Sequence, residues 1–472
     1  MKKEKGIFTV KMKRVERDLI GELEIPEGDL RGINTYRALN NFPMKNFHTP
    51  FPQLIRALFE VKLAALYTNR ELGYIADDIF PHIERAIFDG IEGKLNEFFN
   101  ITMLQGGAGT SLNMNVNEVI ANLSLKYMGR KPGEYEVISP YDHINLHQST
   151  NDVIPTAGKI ASLRMLKDLE EGTLKLLHSL QKKERELDGY IKFGRTECQD
   201  GFPVSLGREF SAYASAISRD RWRLFKCRER LRDVNIGGTA VGTGFPAPRK
   251  YIFRVVFKLK EITGLPLSRA DNLIDATQNW DQVSEVHGIL SALATTLIKI
   301  SSDLRFLSSG PETGIGEIKL KPVQAGSSIM VAKVNPVIPE FVTQCGMRVL
   351  SNNVLVNHAV SMGHLELNPF APIIIHTLLE SLYILKCAVN SLSMCVDGIK
   401  PDEEKLGRIK SSQTLLLYAI SGKVGYKRAE DLYKRAKREG MDLREYLIKN
   451  KIFEEEEIKE LLKPENLLKL GI

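Results

Sequence analysis

Eight apolar residues, Val283, Val286, Leu290, Leu293, Leu297, Ile300, Leu304 and Leu307, follow one another at steps of three and four without a miss. Ile375, Leu378, Leu382, Leu385, Val389, Leu392 and Val396 repeat the pattern. Phe210, Tyr213, Ile217, Leu224, Cys227 and Leu231 keep it with Asp220 as an interruption. Residues three and four apart share one face of an α-helix, so each stripe is the seam of a long helix packed nearly parallel to others. Extended period-two runs are scarce, which argues against a β-sheet core. The chain is expected to be all-α, a bundle of long helices. Core packing accounts for the stripes, which carry no function beyond assembly.

The rest of the chain must supply the chemistry, and composition bounds it only broadly. At 472 residues and 43% hydrophobic the chain can bury a large core and form more than one domain. Its net charge of +7 is spread along the length, with Lys interleaved with Glu. That describes a solvated surface rather than a nucleic-acid footprint, and a mildly basic field also attracts a dicarboxylate. Five cysteines, an odd number with no CxxC pair, fit free thiols in a reducing cytosol. The first residues, Met1-Lys2-Lys3-Glu4-Lys5, lack the apolar run of a signal peptide. The apolar stretch near 372–396 is broken by His376, Glu380 and Lys386, so it is not taken for a membrane span. A cytoplasmic location, without membrane or nucleic-acid partners, is expected.

Three segments place small hydroxyls, amides and glycines where a packed helix wants apolar groups. The most informative is Gly326-Ser327-Ser328-Ile329-Met330-Val331-Ala332-Lys333-Val334-Asn335-Pro336, leading to Glu340. A serine hydroxyl becomes a base only where its alkoxide is stabilised, and neighbouring backbone N–H groups and the Lys333 ammonium are suited to that. Lys333 and Asn335 are also suited to a substrate carboxylate, by charge and by hydrogen bonding. The second segment is Gln105-Gly106-Gly107-Ala108-Gly109-Thr110-Ser111, followed by Asn113, Asn115, Asn117 and Glu118. The third runs through His143, Asn145, His147, Gln148, Ser149, Thr150, Asn151 and Asp152. Glycines admit close approach of a ligand, and Thr, Ser and Asn donate without full charge, so together the segments describe a polar socket for a small anion. Helix caps and turns alone would explain any one of them, but less well all three. GGAGT lacks the Gly-Lys-Ser/Thr ending of a P-loop and the GxGxxG spacing. The 326–340 segment falls between a helix ending near Leu307 and another spanning about 337–364, a connection on a rigid scaffold.

In this order the three segments resemble those of the aspartase/fumarase superfamily, and the 326–340 segment fits its pattern GSSxMxxKxN with a glutamate five residues after the Asn. The resemblance runs from Arg14-Val15-Glu16-Arg17-Asp18-Leu19-Ile20-Gly21 to Pro464-Glu465-Asn466. Gly106–Ser111, Gln148-Ser149-Thr150-Asn151-Asp152, Gly32-Ile33-Asn34-Thr35-Tyr36-Arg37-Ala38 and Val337-Ile338-Pro339-Glu340 are similar to the aspartase branch. Val116 alone looks fumarase-like.

The resemblance implies reversible β-elimination of ammonia from L-aspartate to give fumarate. Ser327 would be the general base at Cβ. Thr110, Ser149, Thr150 and Ser328 would donate to the adjacent carboxylate as it becomes an aci-carboxylate. Lys333 and Asn335 would hold the α-carboxylate, and Asn151 and Thr196 would orient the amine. No redox cofactor or metal is required; activation by a divalent metal stays open, and His143 and His147 are taken as structural or supporting groups. The family's fold implies a homotetramer around a central helical core, each active site drawing on three chains. Smaller N- and C-terminal domains would flank the bundle, with limits at 1–147, 148–397 and 398–472.

Two positions depart from the family. Glu197, in Gly194-Arg195-Thr196-Glu197-Cys198-Gln199-Asp200, stands where His or Gln is usual; it would pair with a substrate ammonium but repel the α-carboxylate and Glu340, raising one of their pKa values if close, and so would mark altered amine specificity or reduced activity. Val331 stands where Pro is common and frees one backbone torsion in the loop. The alternatives are fumarate hydratase, a fumarate-forming lyase releasing another amine, and an assembly protein that keeps the bundle without the chemistry.

Overall fold

The computed structural model describes residues 12–469. A hairpin of β1 (Lys13–Arg17) and β2 (Glu22–Pro26) leads to α1 (Ile33–Asn41), α2 (Pro52–Glu71), α3 (Phe80–Ile91) and α4 (Thr110–Tyr127). The longer helices follow: α5 (Thr150–Glu186), α6 (Leu206–Leu231), α7 (Arg249–Thr263), the short α8 (Leu273–Gln278), α9 (Asp281–Leu307), α10 (Val337–Ser361) and α11 (Ala371–Asp397). A second hairpin, β3 (Ile191–Thr196) and β4 (Gln199–Ser205), separates α5 from α6. Two-residue pairings join β5 (Asp233–Val234) to β6 (Ser268–Arg269) and β7 (Ile318–Lys319) to β8 (Lys400–Pro401). The chain closes with α12 (Glu403–Lys410), α13 (Gln413–Val424), α14 (Tyr426–Arg438), α15 (Leu443–Lys449), α16 (Glu455–Leu461) and α17 (Pro464–Leu467). Each sheet has only two strands, so the described residues form an all-α fold.

The stripes read from the sequence are the buried faces of α6, α9 and α11, and none of their residues is more than 4% exposed. By length and composition α9 and α11 also qualify as membrane-crossing helices, yet these apolar seams lie inside the protein. The helix expected over 337–364 ends at Ser361. Its last carbonyls, those of Ala359 and Val360, accept from the Asn368 side-chain amide at 3.0 and 3.1 Å, which closes the helix early.

Contacts divide the chain into two compact units. The first holds the described residues up to Leu169, with Arg223–Ser291 and Arg348–Ile384. Here α2 packs on α3 so closely that a Cβ at Gly90 would lie 2.2 Å from the Phe59 ring. Glu118 of α4 is fully buried, and its carboxylate accepts from the amides of Gly32, Asn34 and Thr35 and from the Thr35 hydroxyl. An anion at a helix N-terminus meets unpaired N–H groups, so this one side chain anchors α1. The second unit holds Glu170–Trp222, Ala292–Met347 and the described residues from Leu385 onward. Its C-terminal part has its own small core of Leu416, Ile420, Leu432, Leu443, Leu447 and Ile458.

Candidate functional site

In the first unit two helix N-termini present hydroxyls. Before α4, Gly107, Ala108 and Gly109 all take positive φ, 82°, 55° and 97°. A Cβ at Gly109 would stand 3.0 Å from Ile154, so only glycine combines this torsion with this approach. The turn delivers Thr110 as the first residue of α4, exposed, its amide donating to Gly107 O at 2.9 Å.

Ser149 caps α5 through a reciprocal pair of bonds. The Asn151 amide donates to Ser149 Oγ at 3.2 Å, and the Ser149 amide donates to Asp152 Oδ1 at 2.9 Å. Both hydroxyls beside this cap act as acceptors inward: Ser149 Oγ from Asn151, and Thr150 Oγ1 from Asn113 Nδ2 at 3.3 Å. Each keeps its proton to donate outward. Asn151 spends its own amide N–H on Ala240 O at 2.7 Å, which leaves its carbonyl oxygen to receive a donor. Asp152 is completely buried and accepts also from the amides of Gly237 and Thr239 at 3.1 and 2.9 Å. Burial pushes its carboxyl up to about 7, against the pull of those N–H groups and of Lys62.

Beneath the cap lies a buried polar network that the motifs do not announce. Lys62 of α2 is 1% exposed and donates to Asn145 Oδ1 at 3.1 Å and Gln148 Oε1 at 2.9 Å. Asn113 and Asn117 of α4 donate to the same Asn145 oxygen, both at 3.1 Å. The sequence signal was a lysine on the apolar face of α2, in line with Leu58, Ala65 and Leu66, all buried. His147 is tied to Asn69 Oδ1 at 2.7 Å, and His143 Nδ1 accepts from the Ser139 amide at 2.8 Å. Among the described residues no three His, Cys, Asp or Glu cluster so as to hold a metal ion.

The second unit holds the loop before α10. Ser327 Oγ receives two backbone N–H groups, those of Ile329 at 3.2 Å and Met330 at 2.9 Å. The loop closes on itself through the Gly326 amide to Lys333 O at 2.9 Å and Asn335 Nδ2 to Gly326 O at 2.7 Å. A Cβ at Gly326 would meet Lys333 O at 2.5 Å, so the closure needs glycine. Asn335 thus spends one of its two amide N–H groups within the loop. Ser328 and Lys333 are exposed, and Glu340, on the first turn of α10, lies 3.9 Å from Arg305. Lys333, Asn335 and Glu340 share a cavity of about 590 Å³ with Arg305 and Ser309.

Thr196 and Glu197 sit at the tip of the β3–β4 hairpin, where Glu197 and Cys198 both take left-handed torsions, φ 53° and 62°. Both site candidates are exposed there. The hairpin is fastened along β3 by Glu317, whose buried carboxylate pairs with Lys192 at 2.7 Å and Arg195 at 2.6 Å. Glu317 immediately precedes β7 on the approach to the Ser327 loop. The structure therefore groups the candidates in two sets. Thr110, Ser149, Thr150 and Asn151 belong to the first unit, and Thr196, Glu197, Ser327, Ser328, Lys333, Asn335 and Glu340 to the second.

The chain thus presents neutral donors at helix starts and a glycine-closed loop with an N–H-bonded serine on a scaffold of long helices. The family profile described as Lyase matches residues 21–351, and the one described as Fumarase C C-terminus matches residues 419–469. The chain belongs to the aspartase/fumarase superfamily. It is 42% identical over 460 residues to an aspartate ammonia-lyase of a Bacillus species, covering 97% of this chain and 98% of that one. A fumarate lyase/delta crystallin from Brucella melitensis, solved bound to cobalt, superposes with a TM-score of 0.91 at 40% identity over 96% of this chain and 99% of that one. A class II fumarase from Schistosoma mansoni gives 0.86 at 29% identity over 96% and 98%. The identity thus falls from the ammonia-lyase to the fumarase, in step with the branch that the motifs resemble.

Proposed function

We propose that this chain is an aspartate ammonia-lyase, a carbon–nitrogen lyase that reversibly eliminates ammonia from L-aspartate to give fumarate. The observation that carries the mechanism is the pair of N–H groups at Ser327 Oγ, because they stabilise the alkoxide that a serine base requires. Ser327 removes a proton from Cβ, and the electron pair of that C–H bond moves into the neighbouring carboxylate as an aci-carboxylate dianion. Thr110, Ser149, Thr150 and Ser328 donate to its oxygens. Preorganised donors of this kind are worth roughly 3–4 kcal/mol each. The dianion then collapses, the Cα–N bond breaks and ammonia leaves as the double bond forms.

Lys333 holds the α-carboxylate by charge. Asn335 joins it through the amide N–H that Gly326 O does not occupy. The Asn151 carbonyl oxygen and the Thr196 hydroxyl orient the amine, with Glu197 and Glu340 on its periphery. The chemistry needs no redox cofactor; a divalent metal would act as an activator only. The two sets of residues meet in a cytoplasmic homotetramer, where each substrate is surrounded by segments of three chains, so a monomer is inactive.

The test is ultraviolet detection of fumarate from purified protein given L-aspartate, with L-malate in parallel. Fumarate from aspartate alone supports the reading. Fumarate from malate alone assigns the chain to hydratase chemistry instead, and silence with both from a folded tetramer sends the search to other amines.

A further inference from the structure

Lys62 is a cation inside an apolar helix face. Leu58, Ala65 and Leu66 surround it on α2, and it is as buried as they are. Its hydrogen-bond partners are the neutral oxygens of Asn145 and Gln148; the buried Asp152 carboxylate attracts it without contacting it, and burial lowers its pKa to about 7 against that pull. Burying an ammonium that no carboxylate touches is unfavourable, and an unbranched apolar side chain such as Met would fill the same space. Packing therefore gives no reason for the charge, but the two amides do. An ammonium only donates, so both side chains must turn their oxygens toward it and their nitrogens away.

The nitrogens then reach the backbone that leads into α5. Asn145 Nδ2 donates to Gln148 O at 3.2 Å, and Gln148 Nε2 donates to Ile144 O at 3.0 Å and Leu146 O at 3.2 Å. The polarised Asn145 oxygen also draws in Asn113 Nδ2, which in turn reaches Thr150 Oγ1. With an amide reversed, its nitrogen would face Nζ and these bonds would be lost.

We propose that Lys62 is a positioning residue for the elimination: its ammonium fixes the orientation of Asn145 and Gln148 and so sets the turn that presents Ser149, Thr150 and Asn151. It acts without touching substrate, and its effect on turnover rests on the ammonia-lyase reading above.

The experiment compares wild type with Lys62→Met and Gln148→Met in two readouts. The first is steady-state conversion of L-aspartate by the assembled protein. A 30- to 300-fold fall in kcat with KM changed less than threefold is expected, because the displaced donors act on charge that develops in the transition state. The second is backbone hydrogen exchange, which needs no substrate, with faster exchange expected at 144–152 and unchanged exchange in α9 and α11. If Lys62→Met does not fold, Gln148→Met removes one of the two anchors and must move both readouts in the same direction. If it folds, the double variant must lose no more than the worse single one, since both act through one path.

A kcat within twofold of wild type, with exchange at 144–152 unaltered, overturns the proposal. So do independent, additive losses. A wild type that makes no fumarate from aspartate defeats the ammonia-lyase reading instead, and hydrogen exchange alone then decides whether Lys62 sets the turn.

Discussion

The backbone amide of Met330 donates to the hydroxyl oxygen of Ser327 over 2.9 Å, within a loop that closes only because residue 326 has no side chain. A hydroxyl that accepts from amides on its own loop is held ready to carry negative charge, and that readiness depends on the loop's shape rather than on a neighbouring base. Chemistry and backbone geometry are therefore separable by mutation.

Ser327→Ala removes the base and leaves the loop. Turnover of L-aspartate should fall by about 10²–10⁴-fold or more, with the melting temperature unchanged, because the side chain bonds only within its own exposed loop. Gly326→Ala places a methyl group 2.5 Å from Lys333 O and opens the loop while keeping the serine. Its activity should fall as well, again without loss of stability. Activity persisting in Ser327→Ala would remove serine from the base role.

Glu197 is exposed at a hairpin tip and its side chain supports no packing. Glu197→Gln restores a residue usual in the family and should leave the melting temperature within a degree. The ratio of fumarate consumption with ammonia to that with methylamine should shift by about threefold or more, since a charge beside the amine is screened but not silent. An unchanged ratio would place Glu197 outside the amine pocket.

Glu317 is the common partner of Lys192, which is 1% exposed, and of Arg195. Glu317→Ala takes from Lys192 and Arg195 the carboxylate they share, leaving them Glu209 at 2.9 Å and Asp200 at 3.8 Å, and loss of a buried pair costs up to about 3–5 kcal/mol. Urea unfolding should show a correspondingly lower midpoint, with the β3–β4 hairpin the first segment to exchange. A shift below about 1 kcal/mol would mean that Glu209, which also pairs with Lys192 at 2.9 Å, carries the anchor.

The long helices were legible because their signal is local: a three-four stripe needs one helix to be recognised, and Val283–Leu307 and Ile375–Val396 are buried as the spacing requires. The superfamily was legible from three segments in order, and the family profiles agree. What spacing could not give is which polar side chains face each other across the fold. Asn145 looked like one more amide in a polar run, but it is the point where α2, α4 and the turn before α5 converge. Glu118 looked like part of a donor segment and is instead the cap of α1, nearly ninety residues earlier. The end of α10 is illegible in the spacing for the same reason, since Asn368 closes it from a later turn.

His287 offers the pH test. It is completely buried in α9, between Asn353 Oδ1 at 3.2 Å and Ser381 Oγ at 2.8 Å, and burial lowers its pKa from 6.5 to about 4. Between those values the unfolded chain binds a proton that the folded chain refuses, so stability rises with pH across the window and is lost as pH falls from 6.5 toward 4. The difference corresponds to about 3 kcal/mol at most, by 1.36 kcal/mol per pKa unit. His376, also lowered to about 4 and 2.7 Å from His48, adds to the same slope. His287→Gln keeps an amide able to meet Asn353 and Ser381 but removes the titration. Its melting temperature should fall less than that of wild type between pH 6.5 and 4.5, while the two differ by a constant amount from pH 7 to 8. Parallel curves through the acid range would mean that His287 accepts its proton within the fold, with Ser381 or Asn353 turning to receive it.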